Sequence, residues 1–301
     1  MVRASLVGVL LAALGTATAL GASGAEPAAK IRVGLQSGML LPAAGSLWTT
    51  DLLSHVVRIA PAKNAVSRRV AFGSRPFGLT YGAGSIWVAD RSVNTLGRIN
   101  PRSNRVTARI RIGFDSYGVA FGAGSVWVTS EADGTVRRVN ARTNRVTAKI
   151  KVGTTPDGIV FAFGSMWAAD LGRGIVVRIN PATNRVTARL AVEKADWITP
   201  SADALWVSSE SGFVARIDPS SLTVLAKIKV GANPLASAFV GSELWVPNLD
   251  GNTISVVDPA TNTVRATLPA GQGPLAIAQV AGDAWVSNSN EGRVWRVSGG
   301  A

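Results

Sequence analysis

Asp90, Asp157, Asp170 and Asp196 recur at related offsets along this chain, and Phe77, Tyr117 and Trp197 occupy the same kind of position in neighbouring segments. Carboxylates grouped in this way could hold a hard divalent cation, Ca²⁺ or Mg²⁺, and through it activate a lactone or a C–O bond for cleavage. Without a metal, the same carboxylates beside aromatic faces form a mouth for a small or cationic ligand. Other chemistry is narrowed by what the sequence lacks. With no Cys there is no disulfide, thiolate metal site or thiol nucleophile. With one histidine, His55, no mechanism that needs two imidazoles can be built within the chain. The sequence contains no phosphate-binding glycine loop, nucleophile elbow or zinc signature, so no catalytic residue or resident metal site is assigned. A divalent cation is the one cofactor the carboxylates would support.

The elements that must position these residues follow from a repeat. Trp48, Trp87, Trp127, Trp167, Trp206, Trp245 and Trp285 are spaced by 39 or 40 residues, each within a phrase such as GSIWVAD or GSVWVTS. Periods near 40 mark repeat architectures. Each repeat carries short alternating runs rich in Val, Ile and Thr between Gly, Pro, Asn and Asp turns, which is the pattern of strands. In the third repeat the expected strands are a (117–121), b (125–130), c (135–140) and d (145–152). Four strands per unit predict a seven-bladed β-propeller, all-β, with the tryptophans packed between blades. Three residues after each Trp stand Asp51, Asp90, Ser130, Asp170, Ser209, Asn248 and Asn288, which read as turn caps or as the lining of a cation funnel. Nine residues before each Trp the chain has mostly Gly or Ala, so Trp197 is an exception there. It either fills a gap between blades or joins Phe77 and Tyr117 at a site.

The two ends of the chain fit the same ring. The last repeat reaches strand c at 293–297 and lacks strand d, whereas KIRVG at 30–34 matches strand d of other repeats, such as KIKVG at 149–153. The N-terminal strand is therefore expected to complete the last blade and remove its open edge. Residues 1–25, with a positive start, an uncharged apolar run and small residues at 23–25, read as a signal peptide. That leaves 26–301 as one domain, exported to the periplasm or the exterior.

The phrases GSVWVTSEADGTVRRVNARTNRVTAKIKVG and ELWVPNLDGNTISVVDPATNTVRATLPAG resemble the YVTN-repeat propellers, and more distantly NHL-repeat and streptogramin-lyase-like propellers. The resemblance spans all seven repeats and implies a seven-bladed ring, often exported. Streptogramin lyases are metal-assisted C–O lyases that use His and Glu on the upper face. This chain offers only His55, expected at the start of strand c in the first blade, so the activity does not carry over.

Charge supplies the last functional signal. The chain has 31 Lys and Arg against 18 Asp and Glu, a formal net charge of +13. Twelve of the acids fall in loops assigned to the upper face, with four bases, while the d strands carry Arg105, Arg109, Arg111, Arg145, Lys149, Lys151, Arg185 and Arg189. The expectation is an acidic face and a basic rim. Basic outer strands protect sheet edges, and they also attract polyanions. The leading expectation is an exported, non-catalytic, monomeric binding protein for an anionic cell-envelope polymer, a peptide or a protein. A metal-dependent lyase or lactonase is the alternative. Nucleic acid is disfavoured because no aromatic platform alternates with the basic residues.

Overall fold

A computed structural model describes residues 26–298, so the expected signal peptide lies outside the described residues. The chain forms seven four-stranded antiparallel sheets, interrupted only by 3₁₀ turns at Pro61–Lys63 and Ser289–Glu291. Each sheet is one blade of a seven-bladed β-propeller, its strands a to d following one another across the sheet in chain order in six of the seven blades. Among the described residues no helix is long and apolar enough to cross a membrane.

The third blade comprises Ser116–Gly122, Ser125–Ser130, Thr135–Asn140 and Arg145–Lys151. Its outer strand ends one residue earlier than expected because the Val152 N–H turns away to the Gly134 carbonyl. The seventh blade is composite. Pro274–Val280, Asp283–Asn288 and Arg293–Val297 are joined by Ala29–Arg32, with Ile31 opposite Val294. The closing strand is Ala29–Arg32, not 30–34. Its ladder stops there because the N–H groups of Val33 and Gly34 both converge on the Gly292 carbonyl.

The seven repeat tryptophans pack between blades. Trp127 of blade three lies against Met166, Ala168 and Val177 of blade four, and Trp87 of blade two lies against Val126 and Val128 of blade three. The indole N–H of Trp87, Trp127 and Trp167 donates to the carbonyl five residues earlier. The recurrent strand-c arginine covers the ring: Arg138 sits 4.9 Å from the Trp127 ring centre. It also reaches the next blade. Arg138 Nε donates to Ser125 Oγ at 2.9 Å, and its Nη1 donates to the Pro181 carbonyl at 2.6 Å and to Asn184 Oδ1 at 3.0 Å. Arg58, Arg98 and Arg216 make the same pair of cross-blade bonds. The acceptor asparagines, such as Asn104, Asn144 and Asn184, sit in left-handed backbone at the c–d turn, a conformation Asn tolerates. In blade five Leu222 occupies that position, and Arg178 of blade four keeps only Ser165 and its Trp167 stack.

This difference supplies an internal control. Arg138→Ala should cost about 1–3 kcal/mol more than Arg178→Ala, because it also removes charge-assisted bonds to the neighbouring blade. Denaturant unfolding of the two variants measures the difference, and equal losses would mean the cross-blade bonds contribute nothing.

Candidate functional sites at the channel mouth and the rim

The inner strands of blades two, three, four, five and seven open on a β-bulge, and the bulge is what aims side chains at the channel. In blade two the pairing passes from Pro76 opposite Asp90 to Leu79 opposite Val88, so Phe77 and Gly78 together face one residue. Tyr117 with Gly118 and Asp157 with Gly158 repeat this in blades three and four. In blade five Asp196 alone is the inserted residue, between Ala195 and Trp197. Bulges re-aim side chains in this way. The adjacent glycines let the blades approach: a Cβ on Gly78 would stand 2.1 Å from the Tyr117 carbonyl oxygen, and one on Gly118 would stand 2.3 Å from that of Asp157.

Trp197 replaces that glycine, and its neighbour makes room. The inner strand of blade six is only Ala238–Val240, and Ala236 bridges in parallel to Ala276 of blade seven. The indole joins an apolar cluster with Met39, Phe77, Leu235, Leu275, Ala236 and Ala276. Five of the expected site residues, Phe77, Tyr117, Asp157, Asp196 and Trp197, therefore come together around the mouth.

Asp90 and Asp170 do not join them. Both are buried beneath the b–c turns as caps. Asp90 Oδ1 accepts the Ser92 N–H at 3.0 Å while its Oδ2 accepts the Ser74 N–H. Asp170 accepts from the N–H groups of Thr154, Thr155 and Arg173. Of the two readings for the ring three residues after each Trp, the cap is the one the geometry fits. His55 starts strand c of blade one as expected. Its Nδ1 lies 2.9 Å from Asp51 Oδ2 and 2.8 Å from Ser54 Oγ.

Three further residues belong to the mouth: Arg91, Glu131 and Glu210. Each lies four residues after a repeat Trp and donates its backbone N–H to the carbonyl sixteen residues earlier, at Arg75, Asp115 and Lys194. The same count along the sequence gives Leu52, Leu171, Leu249 and Ser289, a second ring that repeat arithmetic contains. Arg91 is fully engaged. Its Nε donates to Asp115 Oδ1 at 3.0 Å, its Nη2 donates to Glu131 Oε2 at 3.2 Å, and its guanidinium stacks 4.7 Å from the Tyr117 ring centre. Tyr117 in turn packs on Phe77, with ring centres 4.2 Å apart.

Acids outnumber this one cation. Burial, then the charges of Asp196 and Glu131, push Asp157 up to about 9. Burial, then Glu210 and Glu131, push Asp196 up to about 7. Burial together with Asp196 and Asp157 holds the Tyr117 hydroxyl well above its ordinary value. Glu131 is raised because burial outweighs the pull of Arg91, and it lies close enough to Asp157 for each carboxyl to affect the other's titration. Asp196 accepts no hydrogen bond from the described residues. Among the described residues no three Asp, Glu, His or Cys side chains are arranged so that they could hold a metal ion.

The rim has the opposite sign. Outer strands mostly alternate exposed and half-buried residues; the exposed positions of blades two to five carry Arg105, Arg109, Arg111, Arg145, Lys149, Lys151, Arg185, Arg189, Lys227 and Lys229, and those of blades one and seven carry Arg68 and Arg69, and Lys30 and Arg32. Blade six, by contrast, has Arg265 there, paired with Glu243, and ends in Pro269.

No family model and no curated protein matches this chain. Among solved structures it is similar to a streptogramin B lyase, with a TM-score of 0.78 and 15% identity over 90% of this chain and 96% of that one. It is also similar to the Kuenenia stuttgartiensis hydrazine synthase, with a TM-score of 0.76 and 12% identity over 94% of this chain and 98% of that one. At such identities the likeness is one of fold.

The raised carboxyls fix the sign of a pH effect. Native Asp157 and Asp196 hold protons that an unfolded chain releases near pH 4, so their contribution to stability falls as pH rises from about 4 towards 9. Asp157→Asn and Asp196→Asn should each raise the thermal midpoint more at pH 8 than at pH 5. The expected gain is at least about 1 kcal/mol, roughly 2–4 °C. A gain that did not depend on pH would contradict the assignment.

Proposed function

We propose that this chain is an exported, monomeric, non-catalytic binding propeller of the YVTN-repeat kind, which holds an anionic polymer of the cell envelope along the basic outer strands of its blades. The observation that carries this reading is the density of exposed positive charge on six consecutive outer strands, those of blade seven and blades one to five. Edge protection is needed by every blade, and blade six achieves it with one paired arginine and a terminal proline. Fourteen exposed cations on six consecutive outer strands exceed that need. They form a continuous band of one sign, which is the footprint of a polyanion.

The composition of the N-terminal segment supports export, and the fold supports a binding role without prescribing a ligand. A phosphate- or carboxylate-bearing glycan would meet this band, and so would an acidic peptide or protein. The polymer is favoured because the band continues from blade to blade, where a chain of repeating charges gains with each added contact. The alternative of a metal-dependent lyase or lactonase requires carboxylates that converge on one cation. Asp90 and Asp170, which would have belonged to that set, are occupied as turn caps.

Binding to immobilised dextran sulfate and to soluble polyphosphate tests the proposal. Affinity should fall by about tenfold or more between 50 and 500 mM NaCl, as screening shortens the range of the field. Replacing Arg111, Arg145 and Arg189 together by Ser should weaken binding at low salt by about tenfold, with little change in thermal midpoint. Replacing Arg75, Arg173 and Lys194, exposed in loops away from the outer strands, should leave it nearly unchanged. Equal losses in the two triple variants would reduce the effect to net charge and overturn the proposal. Tighter binding of poly-glutamate than of either polymer would move the assignment to an acidic protein partner.

A further inference from the structure

We propose that the channel mouth is a second binding site, for a primary ammonium ion carried on an apolar body, with the charged head against Asp196 and Asp157 and the body against Leu235, Leu275 and Trp197. The argument begins with Asp196, which is 4% exposed and accepts no hydrogen bond from the described residues. A carboxyl so nearly enclosed, with no donor from the described residues, has acceptor capacity left for an incoming N–H group. Here the chain inserts the residue at a bulge, beside a second carboxyl, Asp157, that is also 4% exposed. The one cation at the mouth does not serve Asp196. Arg91 is spent on Asp115 and Glu131, and it is stacked on Tyr117 and Phe77.

The remaining lining selects the kind of cation. A divalent metal needs several oxygens converging at short range, and the described residues contain no such set. An ammonium has three N–H donors on a compact charge and tolerates looser geometry. Opposite the acids the mouth is apolar, with Met39, Leu235, Leu275, Ala236 and Ala276 from blades one, six and seven, and Trp197 at the boundary. An inorganic cation gains nothing from that wall, whereas an alkyl or aryl ammonium buries its body there while its head ionises the carboxyls. The raised proton affinity of Asp196 agrees with this: without a ligand a proton does the neutralising. Leu235 and Leu275 stand at the positions that hold Asp196, Asp157, Tyr117 and Phe77 in other blades, so the apolar half of the mouth comes from the same ring as the acidic half.

Calorimetric titration of the protein at pH 8 with 2-phenylethylammonium and hexylammonium, against 2-phenylethanol, phenylacetate and CaCl₂, tests this inference. Both ammonium ions should bind at least tenfold more tightly than the alcohol, and phenylacetate should not bind. Asp196→Asn should weaken ammonium binding at least tenfold while its thermal midpoint at pH 8 stays equal or higher, which separates loss of the site from loss of the fold. The rim variant Arg111→Ser, Arg145→Ser, Arg189→Ser should bind the ammonium ions normally, so this site and the polyanion band succeed or fail independently. Equal binding of alcohol and ammonium, undiminished binding by Asp196→Asn, protection by Ca²⁺ alone, or no binding of either ammonium at 10 mM would each overturn the inference.

Discussion

Seven twisted sheets arranged around an axis leave wedge-shaped gaps between their faces, and filling those gaps is the constraint on which the rest of this molecule depends. One unit does so repeatedly: an indole buried between blades, with an arginine over its face that bonds the c–d turn of the following blade. Most of the hydrophobic core is thereby placed between blades, with a smaller apolar cluster at the mouth. The positions that begin each inner strand are released from core duty, and they vary where the tryptophans do not. Gly38, Phe77, Tyr117, Asp157, Asp196, Leu235 and Leu275 occupy one ring and comprise five residue types. A site can be written into that ring without disturbing what closes the propeller.

The cost of such a site is visible where the local rule is broken. Gly78, Gly118 and Gly158 allow each bulge to touch the next blade, and Trp197 cannot. Blade six responds with a shortened inner strand and a bridge from Ala236 to blade seven. Asp157 and Asp196 are buried beside other acids, and burial together with like charge opposes folding at neutral pH. A closed ring with seven interblade interfaces can tolerate a local deficit that an isolated sheet could not. Apolar residues at positions 157 and 196 would relieve the deficit, as Leu235 and Leu275 do in blades six and seven. The retention of acids there is therefore best understood through what they bind.

The fold was legible because its signals repeat. A spacing of 39 or 40 residues marks each blade, and the KIRVG match anticipates which end of the chain closes the ring, missing only the point at which Val33 and Gly34 turn to Gly292. The mouth was partly legible. Phe77, Tyr117, Asp157, Asp196 and Trp197 stand out as departures within a periodic column, and departures survive folding as local chemistry. Asp90 and Asp170 misled because a short acid at the end of strand b serves a turn as readily as a ligand, and the competing N–H groups of Ser74, Thr154 and Thr155 arrive from a distant loop that local sequence does not pair with them. Arg91, Glu131 and Glu210 escaped notice for a different reason. Their column also contains leucines, so its function appears only when the three polar members face the bulge residues across the mouth.

The opposite signs of mouth and rim do not cancel, and their separation explains why. Each blade has four strands, so its inner and outer edges lie about 14 Å apart at ordinary strand spacing. That exceeds the Debye length of about 8 Å at physiological ionic strength, and the mouth carboxyls sit in a low-dielectric setting that strengthens their field locally. A polyanion lying along Arg111, Arg145 and Arg189 is therefore repelled from the mouth, and an organic cation drawn to the mouth is repelled from those outer strands. Sorting by sign needs no moving part: it follows from placing acids on the innermost strands and bases on the outermost ones of the same sheets.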